Sequence, residues 1–157
     1  MPETTPRFDL IELLFFAYRD FTDDPDVLLN ELGYGRAHHR VLHFVHRNPG
    51  IRVSDLLGIL KITKQSLGRV LKQLVDEGYI EQQHGPLDRR ERLLFTTDKG
   101  RLLAQQLSQL QTKRINKTIE LMPPGSDEIV RQFLYLMIDE NDRNDVVRLI
   151  SQSTTKE

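Results

Sequence analysis

A mainly helical fold carrying one small β-hairpin is predicted by three features of the sequence. Apolar residues recur at spacings of three and four along most of the chain. Two of these helical segments are separated by only a few residues around Lys61-Ile62, and the second runs straight into two short strand-like stretches flanking Gly85-Pro86-Leu87-Asp88-Arg89-Arg90-Glu91. The chain has 157 residues, 38% of them hydrophobic and 29% charged, which suits one globular domain, residues 1–157, with a real core. No internal repeat or low-complexity tract interrupts it.

The elements follow in order. In FDLIELLFFAYRDF, Leu10, Leu13, Leu14, Ala17, Tyr18 and Phe21 mark a helix, and Phe15 and Phe16 widen its apolar face. Asp24-Pro25 reads as the cap and first turn of a separate short helix over Asp26 to Leu32, broken by Gly33-Tyr34-Gly35. RAHHRVLHFVHRN gives a further helix whose apolar face is Ala37, Val41, Leu42, Phe44 and Val45, and it stops at Asn48-Pro49-Gly50. Ser54 is the expected cap of a short helix through Leu60, and Thr63 the cap of a longer one from Lys64 that buries Leu67, Val70, Leu71, Leu74 and Val75. Two helices joined this tightly make a helix-turn-helix. The second helix keeps a polar side with Gln65, Ser66, Arg69, Lys72 and Gln73, side chains able to meet phosphates and base edges. Gly78 ends it. Strands over Tyr79 to Gln83 and Arg92 to Thr96 then form a hairpin, and a hairpin in this place makes the unit a winged helix. Arg89, Arg90 and Arg92 lie in or beside its loop, with Asp88 placed to pair with one of them. A guanidinium enters a minor groove of enhanced negative potential more readily than an ammonium. Thr97 caps a long helix through Met122, Pro123-Pro124-Gly125 ends it, and Ser126 caps another that turns Ile129, Val130, Phe133, Leu134, Met137 and Ile138 inward.

Composition limits the function. Without cysteine there are no disulfides, Cys-ligated zinc or iron–sulfur clusters. No apolar run approaches a membrane span and Met1 to Pro6 do not resemble a secretory leader, so a cytoplasmic protein with no membrane partner is expected. The formal net charge of −1 conceals a split: residues 33–72 hold eight Lys and Arg against Asp55 alone, while residues 1–32 hold two against eight acids. A local basic footprint on an acidic body is the expected form of a nucleic-acid contact. No paired carboxylates, Gly-rich phosphate loop or recognisable nucleophile setting suggests an enzyme, and no cofactor is expected.

Thr63-Lys64-Gln65-Ser66-Leu67, Leu74-Val75-Asp76-Glu77-Gly78-Tyr79-Ile80, Asp88-Arg89-Arg90-Glu91-Arg92 and Thr97-Asp98-Lys99-Gly100 together resemble the MarR family of bacterial transcription regulators over roughly residues 33–122. LLFFAYRDF, GRAHHRVLHFV and ITKQSL are similar to its PetP-type members. The resemblance implies a winged helix-turn-helix lobe over residues 33–97 and dimerisation helices over residues 8–32 and 98–151. In that picture a homodimer binds one palindromic double-stranded DNA operator, with the recognition helix, Lys64 to Lys72, in the major groove. Thr63, Lys64, Gln65, Ser66, Arg69 and Lys72 are then the helix contacts, and Asp88, Arg89, Arg90 and Arg92 the wing contacts. The wing-tip arginine falls on Arg90 with Asp88 as its brace. Arg89 stands where a proline is common and Thr96 where a leucine is common.

Two further features admit alternatives. Phe15, Phe16, Tyr18 and His39 could line a pocket for an apolar effector, or could be ordinary core. His39 and His43, spaced i and i+4, could share a metal with Glu12 or Asp9, giving a metal-responsive regulator; His46 lies two turns from His39, roughly 10 Å along the axis, too far to join readily. Satisfied interface histidines are the other reading, and no metal is assigned. A winged helix used only as a protein-interaction module is the alternative to DNA binding.

Overall fold

A computed structural model describes residues 4–154; Met1 to Glu3 and residues 155–157, parts of the predicted domain and of the stretch read for a leader, lie outside the described residues. The order is α1 (Phe8–Glu31), α2 (Arg36–Arg47), β1 (Ile51–Arg52), α3 (Val53–Leu60), α4 (Lys64–Asp76), β2 (Ile80–His84), β3 (Arg92–Thr96), α5 (Asp98–Glu120), α6 (Ser126–Met137) and α7 (Glu140–Thr154). None of these helices is long and apolar enough to cross a membrane. The helical fold with its small antiparallel sheet is thus as the sequence predicts.

Several local expectations are overturned. The chain does not restart at Asp24-Pro25: α1 runs unbroken through Pro25. Asp24 caps nothing. Its carboxylate instead accepts from Arg114 of α5 at 3.0 Å, and that guanidinium holds the Asp24 carboxyl below its usual range. Pro25 and Leu29 are fully buried, which offsets the one helical hydrogen bond a proline omits. Ser54 and Ser126 are likewise not caps, because α3 begins two residues and α6 one residue earlier in register, with Arg52 and Gly125 at their N-cap positions. Thr63 and Thr97 do cap their helices, accepting from the backbone N–H of Ser66 and Gly100, each at 3.1 Å.

The sheet has a third strand that periodicity does not reveal. Ile51 and Arg52 pair with Leu94 and Leu93, giving the order β1-β3-β2, all antiparallel. This sheet closes one side of a core built from Val41, Leu42 and Val45 of α2, Leu56 of α3, Leu67, Leu71 and Leu74 of α4, Ile80, Leu94, and Leu103 and Leu107 of α5. Gly100 is required where α5 leaves the sheet. A Cβ there would stand 1.9 Å from the Tyr79 carbonyl oxygen, so any side chain would force the helix off the strand.

Beyond this core many large apolar residues are exposed. Phe8, Ile11, Leu13 and Phe15 of α1 are 60% or more exposed, and so is Ile129 of α6 at 68%, with Phe133, Leu134 and Met137 at 50% or a little more. Of the α6 residues expected to point inward, Val130 and Ile138 are half-buried, whereas Ile129, Phe133, Leu134 and Met137 are left uncovered by the described residues of the single chain.

Candidate nucleic-acid interface

Helix α4 is anchored at one end and open at the other. Because Leu67, Val70, Leu71 and Leu74 are buried, the 3.6-residue period places Lys64, Gln65, Gly68, Arg69 and Lys72 on the exposed side. Thr63 is exposed too, and its hydroxyl donates to Ser66 Oγ at 2.8 Å, so Ser66 is half-buried and already engaged in the cap. Gln73 does not join the polar side. His38 Nδ1 accepts from the Gly35 N–H at 3.1 Å, which leaves Nε2–H to donate to Gln73 Oε1 at 2.7 Å. Tyr34 donates its hydroxyl to Glu77; burial first, and this carboxylate second, raise the phenol above its usual titration range. Lys99 Nζ donates to the Glu77 carbonyl at 2.8 Å and Thr97 to the Gly78 carbonyl at 2.6 Å, joining the end of α4 to the start of α5. Sequence reading misses the His38–Gln73 link, since the spacing of 35 residues leaves no local signal.

The wing is a closed loop. Gly85 N–H donates to Glu91 O at 2.9 Å, Glu91 N–H to Asp88 O at 3.1 Å, and Arg89 O lies 2.9 Å from His84 Nδ1. Asp88 braces this loop through the main chain, its Oδ1 accepting from the backbone N–H of Arg90 at 2.9 Å. No ion pair among the described residues holds the side chains of Arg89, Arg90 or Arg92, which stay exposed.

The basic footprint is smaller than its charge count. Arg36 pairs with Asp26 at 3.2 Å, Lys61 with Asp142 at 2.6 Å, Arg52 with Glu91 at 3.2 Å, and Lys72 with Asp76 in the next turn of its own helix. Lys64 and Arg69 keep their charges clear of any ion pair among the described residues. They and the wing arginines are the cations most available to a polyanion.

A cleft of about 270 Å³ opens between α1, α2 and α5, lined by Tyr18, Phe21, His39, Arg40, His43 and Phe44 among others. Tyr18 and His39 thus line a cavity, whereas Phe15 and Phe16 do not: they pack edge to face at 5.3 Å on the exposed side of α1. Burial lowers the titration of His39, and burial followed by the neighbouring His39, Arg47 and His46 lowers His43 to about 4. Among the described residues no three His, Asp or Glu side chains gather as a metal site, and Asp9 lies against Arg7 at 3.3 Å.

Two tightly joined helices followed by an arginine-tipped hairpin define a winged helix-turn-helix protein. The family model that matches residues 32–91 is that of the MarR family. The HTH-type transcriptional regulator PetP of Rhodobacter capsulatus is 46% identical over 129 residues, covering 82% of this chain and 78% of that one. The chain belongs to the MarR family and is a transcription regulator of that DNA-binding class. Its fold is similar to that of a mutant MarR from E. coli complexed with operator DNA (TM-score 0.66, 20% identity, 84% and 95% of the two chains). It is also similar to NadR in complex with 4-hydroxyphenylacetate (TM-score 0.71, 18% identity, 88% and 100%).

Proposed function

We propose that the protein is a cytoplasmic homodimer that binds a palindromic DNA operator, with α4 in the major groove and Arg90 in the adjacent minor groove. The observation that carries this reading is the shared concavity of helix and wing: Lys64, Gly68 and Lys72 of α4 and Gln82 and Arg92 of the hairpin line one groove of about 710 Å³, with Asp76 and Glu81 as its carboxylates. The bare apolar faces of α1 and α6 support the homodimer, since one chain of this size cannot cover them. Two equivalent helices would then meet half-sites about one helical turn apart. Thr63 and Ser66, engaged in the cap, serve the start of α4; Gln65 and Arg69 read base edges; Lys64 and Lys72 meet phosphates. Arg89 and Arg92 flank Arg90, and Asp88 sets the loop.

A gel-shift titration on the protein's own promoter region, with excess nonspecific DNA, tests this. Operator-selective retardation is expected, and binding that the competitor abolishes would favour the protein-interaction alternative. Gln65→Ala and Arg69→Ala should cost about 1–3 kcal/mol of discrimination per bidentate contact. Arg90→Lys should weaken binding nearly as much as Arg90→Ala, because the ammonium sheds water less readily.

The cleft beside Tyr18 and His39 supports an effector as a further part of this reading. Arg40 donates to the Tyr18 hydroxyl at 2.8 Å at its wall, and Phe21 and Phe44 give it apolar sides, a combination that suits a small aromatic acid or phenol. 4-Hydroxyphenylacetate, bound by NadR, is the first compound to test by thermal shift.

A further inference from the structure

A third concavity, of about 450 Å³, lies where the start of α3, the start of α4 and the foot of the wing meet. Arg52, Lys64, Arg90 and Arg92 bring four cations to it, Ser54 a hydroxyl, and Glu91 its one carboxylate. Arg52 Nη1 is 3.2 Å from Glu91 Oε1. Both partners are fixed from behind. Arg52 pairs across the sheet with Leu93 and leads directly into α3, while Glu91 is bonded through its backbone N–H and C=O to Asp88 and Gly85. Gly85 permits this seat, since a Cβ there would come within 3.0 Å of the Glu91 side chain and 2.6 Å of the Asp88 carbonyl oxygen.

A guanidinium presents five N–H donors in a fixed fork, so a carboxylate on one edge orients the group and leaves donors for a second acceptor. Lys64, Arg90 and Arg92 add three charges without an acid of their own. Such a set suits a compact anion and not a neutral base edge. We propose that this concavity seats one backbone phosphate of DNA, with Arg52 as a direct donor and Glu91 as the positioning residue that aims it. The proposal rests on the DNA-binding reading above and extends it to a residue from the two-residue strand β1.

The test is fluorescence anisotropy of the full chain on operator and scrambled duplexes across a salt series. Arg52→Gln should lower the slope of log affinity against log salt by about 0.9 per protomer and weaken both duplexes by the same factor. Arg52→Lys should restore the slope. Glu91→Gln should weaken binding two- to five-fold although it removes a negative charge, and should strengthen binding slightly in the Arg52→Gln background, where there is nothing left to aim. An unchanged slope in Arg52→Gln, a loss confined to the operator, or equal strengthening by Glu91→Gln in both backgrounds would overturn the proposal. Inorganic phosphate at matched ionic strength should compete no better than chloride; competition that depends on Arg52 would make this a free-anion site instead. A wild-type chain that binds neither duplex would overturn the DNA reading itself, a result visible before any variant is compared.

Discussion

The winged helix-turn-helix lobe and the terminal helices are built from residues of the same kind, yet they end in opposite states. In the lobe each apolar stripe finds a partner within the chain: α2 packs on α4, α5 and the sheet, and Val41, Val45, Leu56, Leu74, Leu94 and Leu107 are all completely buried. In α6 a stripe of equal quality, Ile129, Phe133, Leu134 and Met137, stays half or more exposed. Helix α5 spans both regimes, its Leu103 and Leu107 buried and its Ile115 49% exposed further along. The core of the lobe draws on Leu29 of α1 and on Leu103 and Leu107 of α5, while the other large apolar residues of the terminal helices stay exposed in the single chain. Mutations in the two regions should sort accordingly.

The largest effect is expected inside the lobe. Gly100→Ala places a methyl 1.9 Å from the Tyr79 carbonyl oxygen, which backbone movement alone can relieve. The melting temperature should drop by several degrees or more, equivalent to roughly 2–4 kcal/mol. An unchanged melting temperature would show that the junction of β2 and α5 is looser than it looks.

Phe133→Glu comes next and acts on the other region. At 50% exposure in one chain, Phe133 contributes little to the lobe. If it lies at the centre of the dimer interface, truncation with an added charge should weaken self-association by about 2–4 kcal/mol. Light scattering should then report 18.3 kDa instead of twice that mass at micromolar concentration, with lobe structure retained by circular dichroism. Loss of lobe structure together with dimerisation would break the comparison, by showing that the lobe depends on its partner.

The comparison also marks where sequence reasoning succeeds. Periodicity shows which residues share a face, and within the lobe, where the apolar faces of the helices are covered, that is enough to identify α2, α4 and the hairpin. It does not say what covers the face, so it assigns the α6 residues an interior that one chain does not provide. Ile51-Arg52 is too short for a two-residue period to register, and with it the approach of Arg52 to Glu91 leaves no trace in the sequence. Pro25 reads as a beginning because proline at a first turn is common; its burial beside Leu29, a tertiary fact, keeps the helix intact. Charge counting errs in the same way. The positive balance of residues 33–72 ignores Asp23, Asp26, Asp76, Glu91 and Asp142, which the fold or the next turn of helix brings against it.

A smaller effect is expected at the junction of the two regions, where His43 lies between α2 and α5. Its folded titration near 4 is below that of an exposed imidazole, near 6.5, so the unfolded chain takes up a proton first as pH falls. Stability from this group is complete above about pH 6.5 and is lost between there and about pH 4, by on the order of 1–3 kcal/mol. His43→Gln, which cannot charge, should flatten the fall in melting temperature over that window. An identical pH profile in wild type and variant would remove His43 as its source.

The smallest effect concerns how the wing is held, and it follows from where the Asp88 carboxylate points. A brace acting on a guanidinium would need the negative charge, and Asp88→Asn would then weaken DNA binding. The carboxylate meets the Arg90 backbone N–H instead, at 2.9 Å, and an asparagine carbonyl can accept that same hydrogen bond. Asp88→Asn should therefore leave operator affinity unchanged or raise it slightly, since one negative charge near phosphate is gone. Asp88→Ala loses the acceptor as well as the charge. Freeing the Arg90 amide lets the loop between Gly85 and Glu91 sample other conformations, at a cost of about 0.5–1 kcal/mol, or two- to five-fold in affinity. The two variants should thus move in opposite directions although both remove the same charge. Equal weakening by both would show that Asp88 acts through an arginine side chain in the complex, and equal strengthening that it acts only by repulsion.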